Sequence, residues 1–155
     1  MPRSEFPLDR LRSLNEKPIN PEGAYVLYWM VANRRLAYNY SLDRAIDHAI
    51  KLNKPLLVVE SLSQGYPWSS PRFHHFVMRG MQDNLAASDE MPLSYYPFVE
   101  LDACPQRGML KAFSKKACLV ITDDFPCFFI PKLLKILGRT VPCWAEAVDS
   151  NGIMP

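Results

Sequence analysis

Apolar residues along this chain fall into short blocks separated by polar, proline-bearing stretches. Tyr25 to Met30 is a continuous run of Tyr, Val, Leu, Trp and Met, the pattern of a strand covered on both faces. Leu56 to Val59 and Ala117 to Ile121 repeat it, and Leu93 to Val99 and Val141 to Val148 read as two further strands. Between the first two, Leu42, Ala45, Ile46, Ala49 and Ile50 recur at helical spacing while Asp43, Arg44, Asp47 and Lys51 take the other face. The spacing predicts an amphipathic helix with Ser41 as its N-cap, ended before Pro55. Ser70-Pro71 supplies a cap and a first-turn proline for a second helix. Its inner face would hold Phe73, Phe76, Val77, Gly80, Met81, Asn84 and Leu85, with Arg72, His75, Arg79 and Gln82 outward. Short helices are predicted over Gly108 to Lys115 and over Pro131 to Leu137, the last closed by Gly138 as a C-terminal cap.

Strand–helix alternation at this spacing defines the fold class as α/β. The expected architecture is a three-layer, doubly wound, Rossmann-like sheet of about five mainly parallel strands, in the order 3-2-1-4-5 counted along the chain. Residues 1–22, polar and broken by Pro2, Pro7, Pro18 and Pro21, read as an N-terminal arm with a turn of helix around Leu8 to Leu14. Residues 23–155 form the single domain. Such a sheet binds ligands beyond the carboxyl ends of its strands, where strand order reverses. That reversal falls between the first and fourth strands.

Composition narrows the function. The 155 residues are 48% hydrophobic and 22% charged, enough apolar surface for one ordered core. A net charge of +2 is too small to drive nucleic-acid binding by bulk electrostatics, so strong nucleic-acid binding by the chain alone is not expected. No apolar run approaches the roughly 20 residues of a membrane span, and residues 1–20 carry seven charges and no signal-peptide core. A cytoplasmic location is therefore expected. The 6 glycines are never closer than 14 positions apart, which excludes a clustered-glycine phosphate cradle. Cys104, Cys118, Cys127 and Cys143 form no CxxC pair and read as buried free thiols.

The candidate binding residues sit at strand ends. Asn33, Arg34 and Arg35 follow the first strand, where two guanidinium groups can grip an anion; the alternative is a solvated loop or an ion pair. Thr122, Asp123 and Asp124 follow the fourth and either receive ligand N–H and O–H groups or cap the next helix. Glu60, after the second strand, is placed to accept from a ribose-like diol. His48 lies beside the polar face of the first helix. Adjacent His74 and His75 point about 100° apart and cannot share a metal, so they read as free histidines on a solvated flank. No catalytic nucleophile–base set and no metal site is recognisable. Trp68, in a loop, and Phe128-Phe129 after Pro126 read as exposed apolar groups suited to a partner surface.

In order and spacing, several segments resemble the N-terminal α/β domain of DNA photolyases, nearest to the class II cyclobutane pyrimidine dimer type. They are Val26-Leu27-Tyr28-Trp29-Met30 followed by Arg34-Arg35, Asn39-Tyr40-Ser41-Leu42, Leu52-Asn53-Lys54-Pro55-Leu56, and Arg72-Phe73-His74-His75-Phe76-Val77-Met78-Arg79-Gly80. Val120-Ile121-Thr122-Asp123, Ile130-Pro131 and Val148 to Pro155 complete the set. Thr122-Asp123-Asp124-Phe125-Pro126 carries one residue more than the family's Thr-Asp-Phe-Ser-Pro turn, and Ser150-Asn151-Gly152 replaces its Ala-His-Asn, which marks a divergent branch. The resemblance implies part of a light-dependent DNA-repair flavoprotein, in which the α/β domain supports the catalytic domain and can hold a deazaflavin or folate antenna. FAD, lesion pocket and electron-transfer tryptophans would belong to a helical domain in cis or in trans, so the isolated chain is expected to be inactive. The alternative is a free-standing nucleotide- or flavin-binding Rossmann-like adaptor.

Overall fold

A computed structural model describes residues 7–102 and 108–152. Cys104 and Ile153 to Pro155, part of the readings above, lie outside the described residues, as do residues 1–6. After a 3-10 turn at Leu8–Arg10 the elements run β1 (Leu11–Ser13), β2 (Tyr25–Met30), α1 (Tyr40–Leu52), β3 (Leu56–Leu62), α2 (Pro71–Ser88) and β4 (Ser94–Val99). They continue with α3 (Met109–Ser114), β5 (Ala117–Asp124), α4 (Ile130–Thr140) and β6 (Trp144–Asp149).

The six strands form one sheet in the order β1-β6-β5-β2-β3-β4. The five strands expected from the sequence pair in parallel in the expected order. The sixth is the correction: the arm does not extend its turn to Leu14 but lays β1 antiparallel to β6, Leu11 opposite Val148 and Ser13 opposite Glu146. Three residues, Leu-Arg-Ser, carry no periodicity to read; β6 dictates their conformation.

The pleat of β2 divides the core. Val26, Tyr28 and Met30 face α1 through Leu42, Ala45 and Ala49. Leu27 and Trp29 face the opposite layer, with Met109 of α3 and Leu137 of α4. α2 joins the α1 side, packing Val77 and Met81 on Leu62. The inner face of α2 is narrower than expected. Val77, Met81, Asn84 and Ser88 are buried, whereas Phe73, Phe76 and Leu85 are exposed at 48%, 76% and 44%.

Two caps differ from the sequence reading. α1 begins one residue before Ser41, with Asn39 as N-cap: its side-chain oxygen accepts the Leu42 N–H at 3.1 Å. Ser41 is buried in the helix and shares a contact with Ser150. Gly138 is not a terminal cap, because α4 runs on to Thr140. It is glycine because the arm crosses there: an added Cβ would lie 2.2 Å from the Leu14 carbonyl oxygen. Asn15 fixes that crossing, its amide donating to the carbonyls of Gly138 (3.3 Å) and Cys143 (3.0 Å). The Lys17 ammonium donates to the carbonyls of Gly138, Arg139 and Val141, where a cation complements the helix dipole. Cys118 and Cys143 are buried free thiols as expected, whereas Cys127, in the loop after β5, is exposed; burial pushes the Cys143 thiol up to about 11.

Candidate functional site

The candidate residues gather on the rim formed by the carboxyl ends of β2, β3 and β5. β5 is longer than its apolar run, so Thr122 and Asp123 lie inside the strand, 0% and 1% exposed. One carboxylate oxygen of Asp123 accepts the backbone N–H groups of Val31 (2.9 Å), Ala32 (2.8 Å) and Asn33 (3.0 Å). The other accepts the Tyr28 hydroxyl at 2.7 Å. Burial, reinforced by the Asp123 charge, raises the Tyr28 phenol well above its ordinary range. Thr122 donates to the Trp29 carbonyl at 2.8 Å. These two residues therefore shape the loop after β2 instead of facing a ligand. Asp124 is bonded to Arg12 at 2.7 Å, which ties the arm to the same edge.

Glu60 likewise lies within β3, fully buried. One oxygen takes the Arg34 guanidinium at 2.8 Å; the other accepts Asn84 Nδ2 at 3.0 Å and the Tyr95 hydroxyl. Arg34 also donates to the Ser61 carbonyl at 2.8 Å. Burial, then the bond to Glu60, raises the Tyr95 phenol. A carboxylate with both oxygens engaged by protein donors has no free edge for a ribose diol, so that expectation is corrected. Arg34 takes the ion-pair alternative, with its side chain 29% exposed. Arg35 is exposed and donates to the Tyr38 carbonyl at 3.2 and 3.3 Å. Tyr38 itself is 94% exposed with φ 51°, a backbone conformation that bulky residues rarely adopt.

The rim leaves three buried polar atoms without a protein partner among the described residues: Asn33 Nδ2, Tyr66 Oη and His74 Nε2. Tyr66 and His74 rings lie 5.7 Å apart, and Phe73 packs 6.1 Å from Tyr66. Burial raises the Tyr66 phenol while the Arg34 charge opposes the rise, which places that hydroxyl in the field of the arginine. His74 is thus not a solvated histidine, whereas His75 is exposed. Tyr66 escaped the sequence reading; the one signal was an aromatic between Gly65 and Pro67 in the loop opening α2.

Exposed aromatic surface lies on the loops after β3 and β5. Trp68 is 73% exposed and meets Phe128 edge-on at 6.3 Å; Phe128, 74% exposed with φ 58°, stacks on Phe125 at 6.4 Å. Phe129 is exposed beside them. A second polar network lies away from the rim. Glu146 of β6 accepts from Arg44 at 2.6 Å and contacts His48 at 3.1 Å; burial pulls its carboxyl upward, but the hydrogen bonds from His48 and Arg44 and the charges of both together outweigh it and hold the carboxyl at about 2. No cluster of three or more His, Cys, Asp or Glu able to hold a metal occurs among the described residues. No helix among them is long and apolar enough to cross a membrane.

No protein-family model matches the chain. Over 115 residues, 74% of its length, the chain is 33% identical to a deoxyribodipyrimidine photo-lyase of Methanothermobacter thermautotrophicus, and it spans 25% of that protein. By shape it is similar to a universal stress protein of Pseudomonas aeruginosa, with a TM-score of 0.58, 12% identity, and coverage of 90% of this chain and 51% of the other. At that identity the likeness concerns the fold alone, a mainly parallel sheet between helical layers. The sequence match, over 74% of this chain and 25% of the relative, supports a divergent photolyase-like α/β domain.

Proposed function

We propose that this domain is the supporting half of a light-dependent DNA-repair flavoprotein, with its rim as the face on which a helical, FAD-bearing domain docks, in cis or in trans. The observation that carries the proposal is the rim itself, which holds exposed Trp68, Phe128 and Phe129 and, among the described residues, three buried polar atoms without a partner. Exposed aromatic clusters of this kind mark interaction surfaces. The cost of leaving buried donors unmet, about 1–3 kcal/mol each, is removed when a ligand or partner supplies hydrogen bonds.

The same atoms fit an antenna pigment. Asn33, Tyr66 and His74 would meet the hydrogen-bonding edge of a deazaflavin or folate, with Arg35 and the exposed flank of Arg34 toward its anionic groups. When bound, such a pigment supplies light absorption. Glu60 and Asp123 act behind them, holding Arg34 and the loop after β2 in place, while Thr122 is bonded to Trp29 and Asp124 to Arg12 of the arm. Repair chemistry belongs to the flavin-bearing domain, so the isolated chain is inactive. The test is titration of the purified chain with a deazaflavin and a reduced folate, followed by visible absorbance and fluorescence. Retention of one of them, weakened at least tenfold by Tyr66→Phe or Arg35→Ala, is the expected result. A chain that binds neither removes the antenna role, and reversal of pyrimidine dimers by the isolated chain under light overturns the division of labour.

A further inference from the structure

Gly80 sits in the middle of α2 with an ordinary helical φ and only partial burial. Glycine is the poorest helix former after proline, so an internal reason for it is expected. None exists among the described residues: a Cβ built at Gly80 meets no heavy atom within 4 Å. At Gly138, by contrast, the arm's backbone fills that space. The open side of Gly80 is not bare surface. At 100° per residue, positions 73, 76 and 80 fall within an arc of about 60°, and Phe73 and Phe76 are the exposed aromatics of this helix. Exposed Arg72 and Arg79 flank the stripe on the side away from the core.

We infer that the Phe73–Phe76–Gly80 stripe of α2 is the seat of an apolar α-helix of the second domain, whose backbone comes close to α2 at Gly80. This rests on the proposed function and adds a footprint and a partner chemistry to it. Three observations select the occupant. The 115 matched residues make up 25% of the photolyase, so a protein of that length has most of its chain still to place. β6 leaves the sheet at Asp149 on the rim from which α2 begins, and the Trp68–Phe128 contact joins the loop before α2 to the loop after β5 in one apolar surface. Finally, α2 offers side chains and a gap but no unpaired backbone, which suits a helix packing ridge-into-groove and not a strand. Arg72 and Arg79 call for Asp or Glu along one margin of that helix.

The experiment places a photo-crosslinking residue in the protein expressed from its own gene in its native cells, as Phe76→p-benzoyl-phenylalanine and separately as Trp68→p-benzoyl-phenylalanine. Cross-linked peptides are identified by mass spectrometry. The expected product from position 76 is a peptide of an apolar helix with an acidic margin, from a flavin-bearing helical domain, reduced at least tenfold by Gly80→Leu. Gly80→Ala in the 155-residue chain is expected to raise Tm by about 3 °C, because the site is open within this domain. A lowered Tm would make Gly80 a requirement of the fold itself and overturn the inference. Cross-linking to that domain from position 68 but not from 76 would overturn it while leaving the docking rim standing. Cross-linking from neither position removes the second domain from the rim, and the proposed function with it. A product between two copies of this chain at position 76 would replace the helix by self-association and overturn the inference.

Discussion

Replacing Gly138 by alanine sets two effects of known sign against each other. Alanine is favoured over glycine in a helix interior by about 1 kcal/mol. The added methyl would lie 2.2 Å from the Leu14 carbonyl oxygen and 3.0 Å from its carbon, more than an ångström (~1 Å) inside ordinary contact. Both neighbours are backbone, so relief requires the arm to lift. Lifting stretches the Leu14 N–H bond to the Ala145 carbonyl (2.9 Å), the two Asn15 amide bonds and the Ala145 N–H bond to Asn15 Oδ1 (3.2 Å). At about 1 kcal/mol for each of these four bonds, losing half and adding about 1–2 kcal/mol of overpacking outweighs the propensity gain. The net is a destabilisation of about 2–3 kcal/mol, or a Tm lowered by about 4–10 °C in a chain of this size. Thermal and urea unfolding followed by circular dichroism measures it. In a chain shortened to begin at Glu16 the same substitution should reverse sign and stabilise by about 1 kcal/mol. A Gly138→Ala protein that melts at or above the wild type would refute the seating of the arm against α4.

Arg34→Ala leaves the buried Glu60 carboxylate without its cation and should cost about 3 kcal/mol in urea unfolding, with Arg34→Lys recovering part; a loss below about 1 kcal/mol would show that the pair is not a buried unit. Asp123→Asn withdraws a carboxylate that accepts three backbone N–H groups and a hydroxyl. It should destabilise by about 2–4 kcal/mol and speed amide exchange at residues 31–33 before global unfolding, whereas unchanged protection there would contradict the geometry. Glu146, at about 2 when folded against an ordinary 4.5, binds its proton more readily when unfolded. Its contribution is therefore complete above pH 4.5 and fades as pH falls toward 2, about 3 kcal/mol in all. Stability measured from pH 5 to pH 2 should fall more steeply in the wild type than in Glu146→Gln by roughly that amount, and parallel curves would exclude it.

The elements legible in the sequence are those whose pattern is local. Tyr25–Met30 and Ala117–Ile121 are covered on both faces and so are continuously apolar, and Ser70-Pro71 is a helix start with a mechanism, its hydroxyl accepting the Phe73 N–H. What was not legible depends on residues far along the chain. β1 exists because β6 offers an open edge. Gly138 looks like a helix terminator until Leu14 is brought against it. Glu60, Asp123 and Glu146 read as polar strand-end or strand positions, and become buried hubs only once Arg34, Tyr28 and Arg44 arrive from other elements. The candidate site was legible as a place, the rim at the strand reversal, and less so as a set of atoms. Asn33, Arg34 and Arg35 stand there, but the unpartnered hydroxyl belongs to Tyr66, whose loop has no periodicity to announce it.

The guanidinium of Arg10 lies under the Tyr40 ring and donates to the carbonyls of Asp149 and Gly152, each at 3.2 Å. Entry to and departure from the sheet are thereby knotted at one corner. Loss of the Arg10 guanidinium would therefore loosen the lead-in to β1 and the exit from β6 together.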